Sequence, residues 1–185
     1  MKIARRLFIV PLANDRHGKS TILRTLVSQG TGQKIGHHMK GVRSLVSPWG
    51  RPIDAFVFGR SFQEKEKAKY DSVEAALNAN DAMWRTRELI IMPSHVASND
   101  HIDIKQMIEV AHSAGFDAIA ASVVMSWEKT KEWEKGDNRA DFAAIWPMNW
   151  DERWTLPNPW AEKYEGQLEA LGNDLWSWVA RALAS

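Results

Sequence analysis

The sequence predicts an α/β fold, a three-layer arrangement in which a mostly parallel sheet carries helices on both faces. Short continuous apolar runs, typical of strands buried on both faces, alternate with stretches whose apolar residues recur every three or four positions, as in helices. Such alternation indicates crossover connections between parallel strands. At 185 residues, 44% hydrophobic and 25% charged, the chain has the length and composition of a single domain over residues 1–185.

The first strand and the first helix flank the most informative stretch of the chain. Residues 6–12 form a continuous apolar run, which predicts a buried strand. Helical spacing begins at Lys19, and Gly30 and Gly32 then end the pattern in the way helices commonly end.

The second strand lies beyond a long polar stretch. Residues 31–52 are rich in glycine and predict a long loop with one short element at 42–46. Residues 53–58 predict a strand, and residues 71–74 have the spacing of a capping box, which predicts the start of a helix.

Two further strands follow the same alternation. Residues 89–92 predict the third strand, and apolar positions between 104 and 111 predict a helix that ends at Gly115. Residues 116–125 predict the fourth strand.

The last third of the chain is rich in tryptophan. Residues 126–158 predict a long connection that holds five of the ten tryptophans, namely Trp127, Trp133, Trp146, Trp150 and Trp154. These side chains either form a lid that stacks on a ligand or pack an irregular loop onto the domain, and the second interpretation is favoured. An amphipathic helix over 159–184 follows, with Asn158 as its cap and Pro159 as its first residue.

Composition excludes several classes of protein. The 24 basic and 23 acidic residues nearly cancel, so no bulk charge points to nucleic acid or to a membrane surface. The chain has no cysteine, which excludes disulfides and thiolate metal sites. No run approaches the ~20 apolar residues of a membrane span, and no signal peptide is recognisable, so we expect a cytoplasmic protein that does not bind membranes.

A motif for phosphate binding lies between the first strand and the first helix. Residues 11–21 read PLANDRHGKST, and Gly18, Lys19 and Ser20 match the end of the pattern G-x-x-x-x-G-K-[ST]. In that pattern, backbone N–H groups at a helix N-terminus curl around an anion, the lysine reaches the β and γ phosphates and the hydroxyl binds Mg²⁺.

The motif departs from the pattern at its start. Ala13 replaces the first glycine, which an alanine can do where its φ stays negative. Asp15 would repel a phosphate unless it points outward or pairs with Arg16, and His17 is bulky for its position.

With these residues the chain resembles the P-loop NTPase superfamily over about residues 6–27. The resemblance implies ATP or another nucleoside triphosphate as ligand, with Mg²⁺ held by Ser20. The compact size of the chain favours a small kinase-like phosphotransferase or NTPase. The residues expected to bind the nucleotide are those of the loop and the first helical turn: Ala13, Asn14, Asp15, Arg16, His17, Gly18, Lys19, Ser20 and Thr21.

The acid that usually ends a second strand in that superfamily is missing. Asp54 and Asp117 begin their strands and are expected at the far edge of the sheet. The remaining candidate acids on loops that follow strands are Glu64, Asp100 and Glu128.

Three side chains are expected to complete catalysis beside Lys19. Arg60 follows the second strand and would offset the charge that develops during phosphoryl transfer. Glu64 or His95 would orient or deprotonate the acceptor, a small molecule or protein that the sequence does not identify.

Two alternatives to a kinase stay open. One is a partition-like ATPase switch that forms a homodimer on ATP and binds a partner protein, although Asn14 stands where that branch has a lysine. The other is a degenerate domain that binds no nucleotide and serves as a scaffold. A small GTPase is not expected, because Trp133 occupies the position of the guanine-recognising aspartate.

Overall fold

The computed structural model describes residues 5–15, 17–37, 39–125, 137–159 and 164–184. Within these residues the chain forms a six-stranded, mostly parallel sheet with helices against it. The strands are β1 (Leu7–Leu12), β2 (Gly41–Val46), β3 (Pro52–Val57), β4 (Leu89–Ile91), β5 (Asp117–Val124) and β6 (Glu152–Pro157). The α-helices are α1 (Lys19–Thr31), α2 (Phe62–Lys65), α3 (Val73–Asn80), α4 (His101–Ser113) and α5 (Tyr164–Ala184).

The strand order is β2-β3-β4-β1-β5-β6, and only β2 runs antiparallel to its neighbour. All six residues of β1 are buried, as its apolar sequence predicts, and it pairs with β4 on one side and β5 on the other. Because β3, β4, β1, β5 and β6 are parallel, the loops that follow them meet at one edge of the sheet, called here the carboxyl edge.

A proline lies in the central strand without disrupting it. The carbonyl of Pro11 accepts a hydrogen bond of 2.9 Å from the N–H of Ser94, so its backbone faces the β4 side. Regular pairing with β4 ends at Ile91, and the N–H that proline lacks therefore falls beyond the end of that ladder.

Two hydrophobic clusters cover the two faces of the sheet. On one face, α1 and α5 pack against alternate strand residues such as Leu7 and Ile9. On the other face, α3 and α4 pack against the intervening residues, such as Phe8 and Val10. This alternation follows from the two-residue period of a strand and gives a sheet that is covered on both sides.

Helices α1 and α5 approach each other closely at a glycine. A Cβ atom added at Gly172 of α5 would lie 2.5 Å from Cβ of Thr25 and 2.7 Å from the backbone oxygen of Ile22. Only glycine allows the two backbones this separation.

Most of the predicted elements are present. Helix α1 ends at Gly32, whose φ is +67°, and the short element expected at 42–46 is the edge strand β2. The cap of α3 is Ser72, whose hydroxyl accepts a hydrogen bond from the N–H of Ala75, rather than Asp71. None of the helices in the described part of the chain is long and apolar enough to cross a membrane.

The prediction for residues 126–158 is wrong in its last part. Residues Glu152–Pro157 form strand β6, which extends the sheet beside β5. Trp150 is buried and donates a hydrogen bond of 3.0 Å to the carbonyl of Ile145, and Trp154 meets Trp178 of α5 edge to face. These tryptophans therefore pack the segment onto the domain, whereas Trp127 and Trp133 lie outside the described residues.

A partly buried ion pair closes the opposite, amino edge of the sheet. The guanidinium of Arg87 donates hydrogen bonds of 2.8 and 3.1 Å to Asp81 and of 2.9 Å to both oxygens of Asp54. Hydrogen bonds from Arg87 hold the pKa of Asp81 below its usual range.

We expect the stability that Asp81 supplies to be fully present at neutral pH and lost in acid. A carboxyl whose pKa is lower in the folded state stabilises the protein above its unfolded pKa, and this contribution disappears as the pH falls through the folded value. Asp81→Asn should therefore lower the free energy of unfolding by about 2 kcal/mol at pH 7, with a smaller difference at pH 3. Urea unfolding at both pH values measures this, with Asp71→Asn at an exposed position as the control. A constant difference at both pH values would contradict it.

Candidate functional site

The candidate site is the loop of residues 13–18, which joins the carboxyl end of β1 to the first turn of α1. Gly18 caps the helix with φ +92°, in the left-handed region. A Cβ atom there would also lie 2.4 Å from a methyl carbon of Leu168 on α5. The first turn of α1 contains no acidic residue, so the positive end of the helix dipole is not offset by a carboxylate there.

Lys19 is buried beneath this loop and is 7% exposed. Its ammonium donates to the carbonyl oxygen of Ala13 and, over 3.1 Å, to that of Asn14. A cation at the start of a helix is unfavourable for the helix dipole, and here the carbonyls of the loop compensate for its position. The ammonium of Lys19 is therefore held against the loop, at the N-terminal end of α1.

Ser20 and Thr21 follow at the surface of the first turn. Ser20 is exposed and Thr21 is partly exposed. Asp15 is also exposed at the tip of the loop, whereas Ala13 is fully buried and donates its N–H to the carbonyl of Ser94 over 3.3 Å. Arg16 lies outside the described residues.

The loop is anchored on both sides by side-chain amides and an imidazole. The side-chain oxygen of Asn14 accepts a hydrogen bond of 3.2 Å from the N–H of Val96, and its amide donates to Asp141 over 3.3 Å. His17 is buried and its Nδ1 lies 3.2 Å from the amide nitrogen of Asn138. The bulk of His17 is thus accommodated inside the domain.

Two buried asparagines extend this network to the ends of β5 and β6. Asn138 accepts from the N–H of Met125 at 2.7 Å and donates to the carbonyl of Val123 at 3.0 Å. Asn158 donates to the carbonyl of His17 at 3.3 Å and accepts from Gln167 of α5 at 2.6 Å.

Sequence reasoning missed the role of these two residues in the site. The sequence predicts Asn158 as a helix cap, which is a local role. In the structure its side chain contacts His17 in the loop. Residues 160–163, which follow Pro159, lie outside the described residues. No local pattern around Asn138 signals its contact with His17, because the two are far apart along the chain.

The three predicted catalytic side chains outside the loop come together at the same edge of the sheet. Glu64 of α2 lies 3.3 Å from Nε2 of His95 and 3.5 Å from the guanidinium of Arg60. The backbone N–H of His95 donates to the side-chain oxygen of Gln63 at 3.0 Å. We call Arg60, Glu64 and His95 the catalytic cluster, after the role that the sequence predicts for them.

The catalytic cluster is tied to the loop through the residues that flank His95. Ser94 accepts from the N–H of Ala13, and Val96 donates to Asn14. The same region is braced by Gln63, whose amide donates to the hydroxyl of Ser94 at 2.9 Å and to Asp103 at 3.0 Å. A carboxylate, an imidazole and a guanidinium therefore lie beside the loop on a supported framework.

The candidate acids fall into different places. Asp54 and Asp117 lie at the amino edge of the sheet, as expected, where they pair with Arg87 and Arg5. Asp100 is buried just before α4, Glu128 lies outside the described residues, and Asp141 contacts the loop through Asn14. In the part of the chain that the structure describes, no group of three histidine or acidic side chains is arranged to hold a metal ion.

Comparisons with protein-family models, with curated proteins and with solved structures gave no match to this chain.

Proposed function

We propose that the chain binds a nucleoside triphosphate, ATP in the first place, at residues 13–21 and acts as a small kinase-like phosphotransferase or NTPase. The observation that carries this proposal is the position of Lys19, buried beneath the loop with its ammonium against the carbonyls of Ala13 and Asn14. A lysine held in this way at a helix N-terminus suits the β and γ phosphates of a nucleotide.

The topology supports the same proposal. The connection that leaves β1 runs to the β3 side of the sheet, whereas the connection that leaves β5 runs to β6 on the other side. The strand order therefore reverses between β1 and β5. Ligands of open α/β sheets bind at such a reversal, outside the carboxyl ends of the strands. The loop of residues 13–18 starts at this point, which favours a P-loop-type, three-layer fold.

The residues present fit a nucleotide with its metal ion. Gly18 supplies the left-handed residue that turns the loop into α1, Lys19 supplies the positive charge, and exposed Ser20 supplies a hydroxyl for Mg²⁺. Bound Mg²⁺ would neutralise charge on the phosphates. The exposed position of Asp15 keeps its carboxylate at the tip of the loop, where water screens its repulsion.

The catalytic cluster suits the acceptor side of the reaction. Glu64 and His95, 3.3 Å apart, can take the proton of an acceptor hydroxyl or water. Arg60 is 63% exposed in its side chain and is free to swing toward a transferring phosphoryl group once it leaves Glu64.

The decisive measurement is the thermal midpoint with and without Mg·ATP. At a hundredfold excess over its dissociation constant, ATP should stabilise the wild-type protein by ~2.7 kcal/mol. Lys19→Met should show no such rise, because the ammonium that binds the phosphates is gone while most of the side-chain volume stays. Lys105→Met, at an exposed position on α4, should respond like the wild type.

Each alternative has its own result in this experiment. No rise in the wild type would contradict nucleotide binding and favour the scaffold. A rise with ATP-dependent dimerisation and no phosphorylated product would favour the partition-like switch. A rise with turnover and no dimerisation supports the kinase or NTPase.

A further inference from the structure

A cavity opens at the carboxyl edge of the sheet and shares a residue with the catalytic cluster. It encloses about 210 Å³ between the segment that leads into β2 and the segment from the end of β3 to α2. Arg60 lines it, so the cavity adjoins the group that we assign to phosphoryl transfer. We call it the anion pocket.

The lining of the anion pocket is predominantly basic. Lys40, Arg60 and Lys65 contribute three cations and His37 an imidazole, against the single carboxylate of Glu66. Glu66 is buried and already engaged, since it accepts from Lys40 at 2.5 Å and from the amide of Asn80 at 3.0 Å. Its charge is therefore matched inside the protein by Lys40, Arg60 is paired with Glu64 at 3.5 Å, and Lys65 adds a further cation to the lining.

The wall beside these charges is apolar and holds Lys40 in place. The ammonium of Lys40 lies 5.5 Å from the ring centre of buried Phe58, and its pairing with Glu66 fixes it further. An oxyanion is the ligand that several cations around a small cavity bind best, through charge-assisted hydrogen bonds. The volume is below the 300–1,000 Å³ typical of drug-sized ligands, so the occupant is small.

We propose that the anion pocket binds the carboxylate or phosphate group of a small hydroxylated molecule, the acceptor of the reaction. The acceptor role rests on the proposed function, whereas binding of an anion by the pocket does not depend on it. In that role the acceptor oxygen bonds to the γ-phosphorus as the bond to the β–γ bridging oxygen breaks. The hydroxyl proton passes to Glu64 or His95, and the nucleoside diphosphate leaves.

Three probes of the same carbon skeleton test the pocket: glycerol, glycerate and glycerol 1-phosphate, titrated calorimetrically without nucleotide at constant ionic strength. We expect glycerate or glycerol 1-phosphate to bind and neutral glycerol not to bind. Whichever anion binds more tightly identifies the oxyanion that the pocket prefers. No binding of either anion would overturn the inference.

Variants locate the binding. Lys65→Gln and Arg60→Gln should each raise the dissociation constant about tenfold, because each removes a charge-assisted hydrogen bond. Lys69→Gln, at an exposed position outside the pocket, should leave it unchanged. Equal affinity in all three variants would overturn the assignment to this pocket.

The nucleotide experiment separates the two proposals. Stabilisation by Mg·ATP without anion binding would overturn the pocket and leave the proposed function intact. Anion binding that Lys65→Gln weakens, in a protein that ATP does not stabilise, supports the pocket as a binding site and overturns only its acceptor role.

Discussion

Alanine at position 172 is expected to lower the free energy of unfolding by about 2–3 kcal/mol, the range for overpacking a close contact. The added methyl carbon would lie 2.7 Å from the backbone oxygen of Ile22 and 2.5 Å from Cβ of Thr25. Neither atom is the flexible end of a side chain, so α5 must move away from α1. That movement also lifts Leu168 away from Gly18 and loosens the candidate site.

Gly166→Ala is the matched control in the same helix. A Cβ atom at position 166 meets no atom within 4 Å, so the substitution should stabilise the protein by about 0.5 kcal/mol through helix propensity alone. Urea unfolding of both variants measures the contrast. Equal stability of the two variants would mean that the helices do not approach as closely as the structure indicates.

The second large effect is expected at Asn138. Asn138→Ala should lower the free energy of unfolding by about 3 kcal/mol, because it leaves the N–H of Met125 and the carbonyl of Val123 without this partner in a buried region. It also removes the amide beside Nδ1 of His17, so the loop of residues 13–18 loses one of its anchors.

Asn149→Ala provides the control on the same segment, since Asn149 is exposed. Its free energy of unfolding should stay within about 0.5 kcal/mol of the wild-type value. If Asn138→Ala is equally mild, the amide does not satisfy these backbone groups. If the variant is folded and stabilised by Mg·ATP as fully as the wild type, the anchor does not matter for the site.

The parts of the fold that could be predicted are those that local physics determines. The apolar run at 6–12 predicted a strand, which forms over Leu7–Leu12, and the left-handed glycine at 32 ended α1 where the pattern indicated. The sequence places Gly18, Lys19 and Ser20 between a strand and a helix, and the structure confirms that position between β1 and α1, while their phosphate-binding role stays a prediction. Arg60, Glu64 and His95 could be grouped because parallel strands bring their carboxyl ends to one edge.

The remainder depends on contacts between distant residues. Strand β6 has a weak apolar pattern, since it includes polar residues such as Arg153. The side chain of Arg153 finds its partners in the segment before the strand, where it donates to the carbonyls of Trp146 and Met148. The roles of Asn138 and Asn158 depend on the backbone of β5 and on His17, and no spacing in the sequence reveals such partners. Ser72 and Asp71 compete for one cap, which sequence position alone does not decide.

The central position of β1 has a consequence for synthesis of the chain. Leu7 pairs with Leu89 on one side and with Asp117 on the other. At about 5–20 residues per second, a ribosome needs roughly 4–16 s to add the residues between Leu7 and Leu89. During that interval β1 exists without either of its neighbours, so the centre of the sheet can form only after residue 117 has been added.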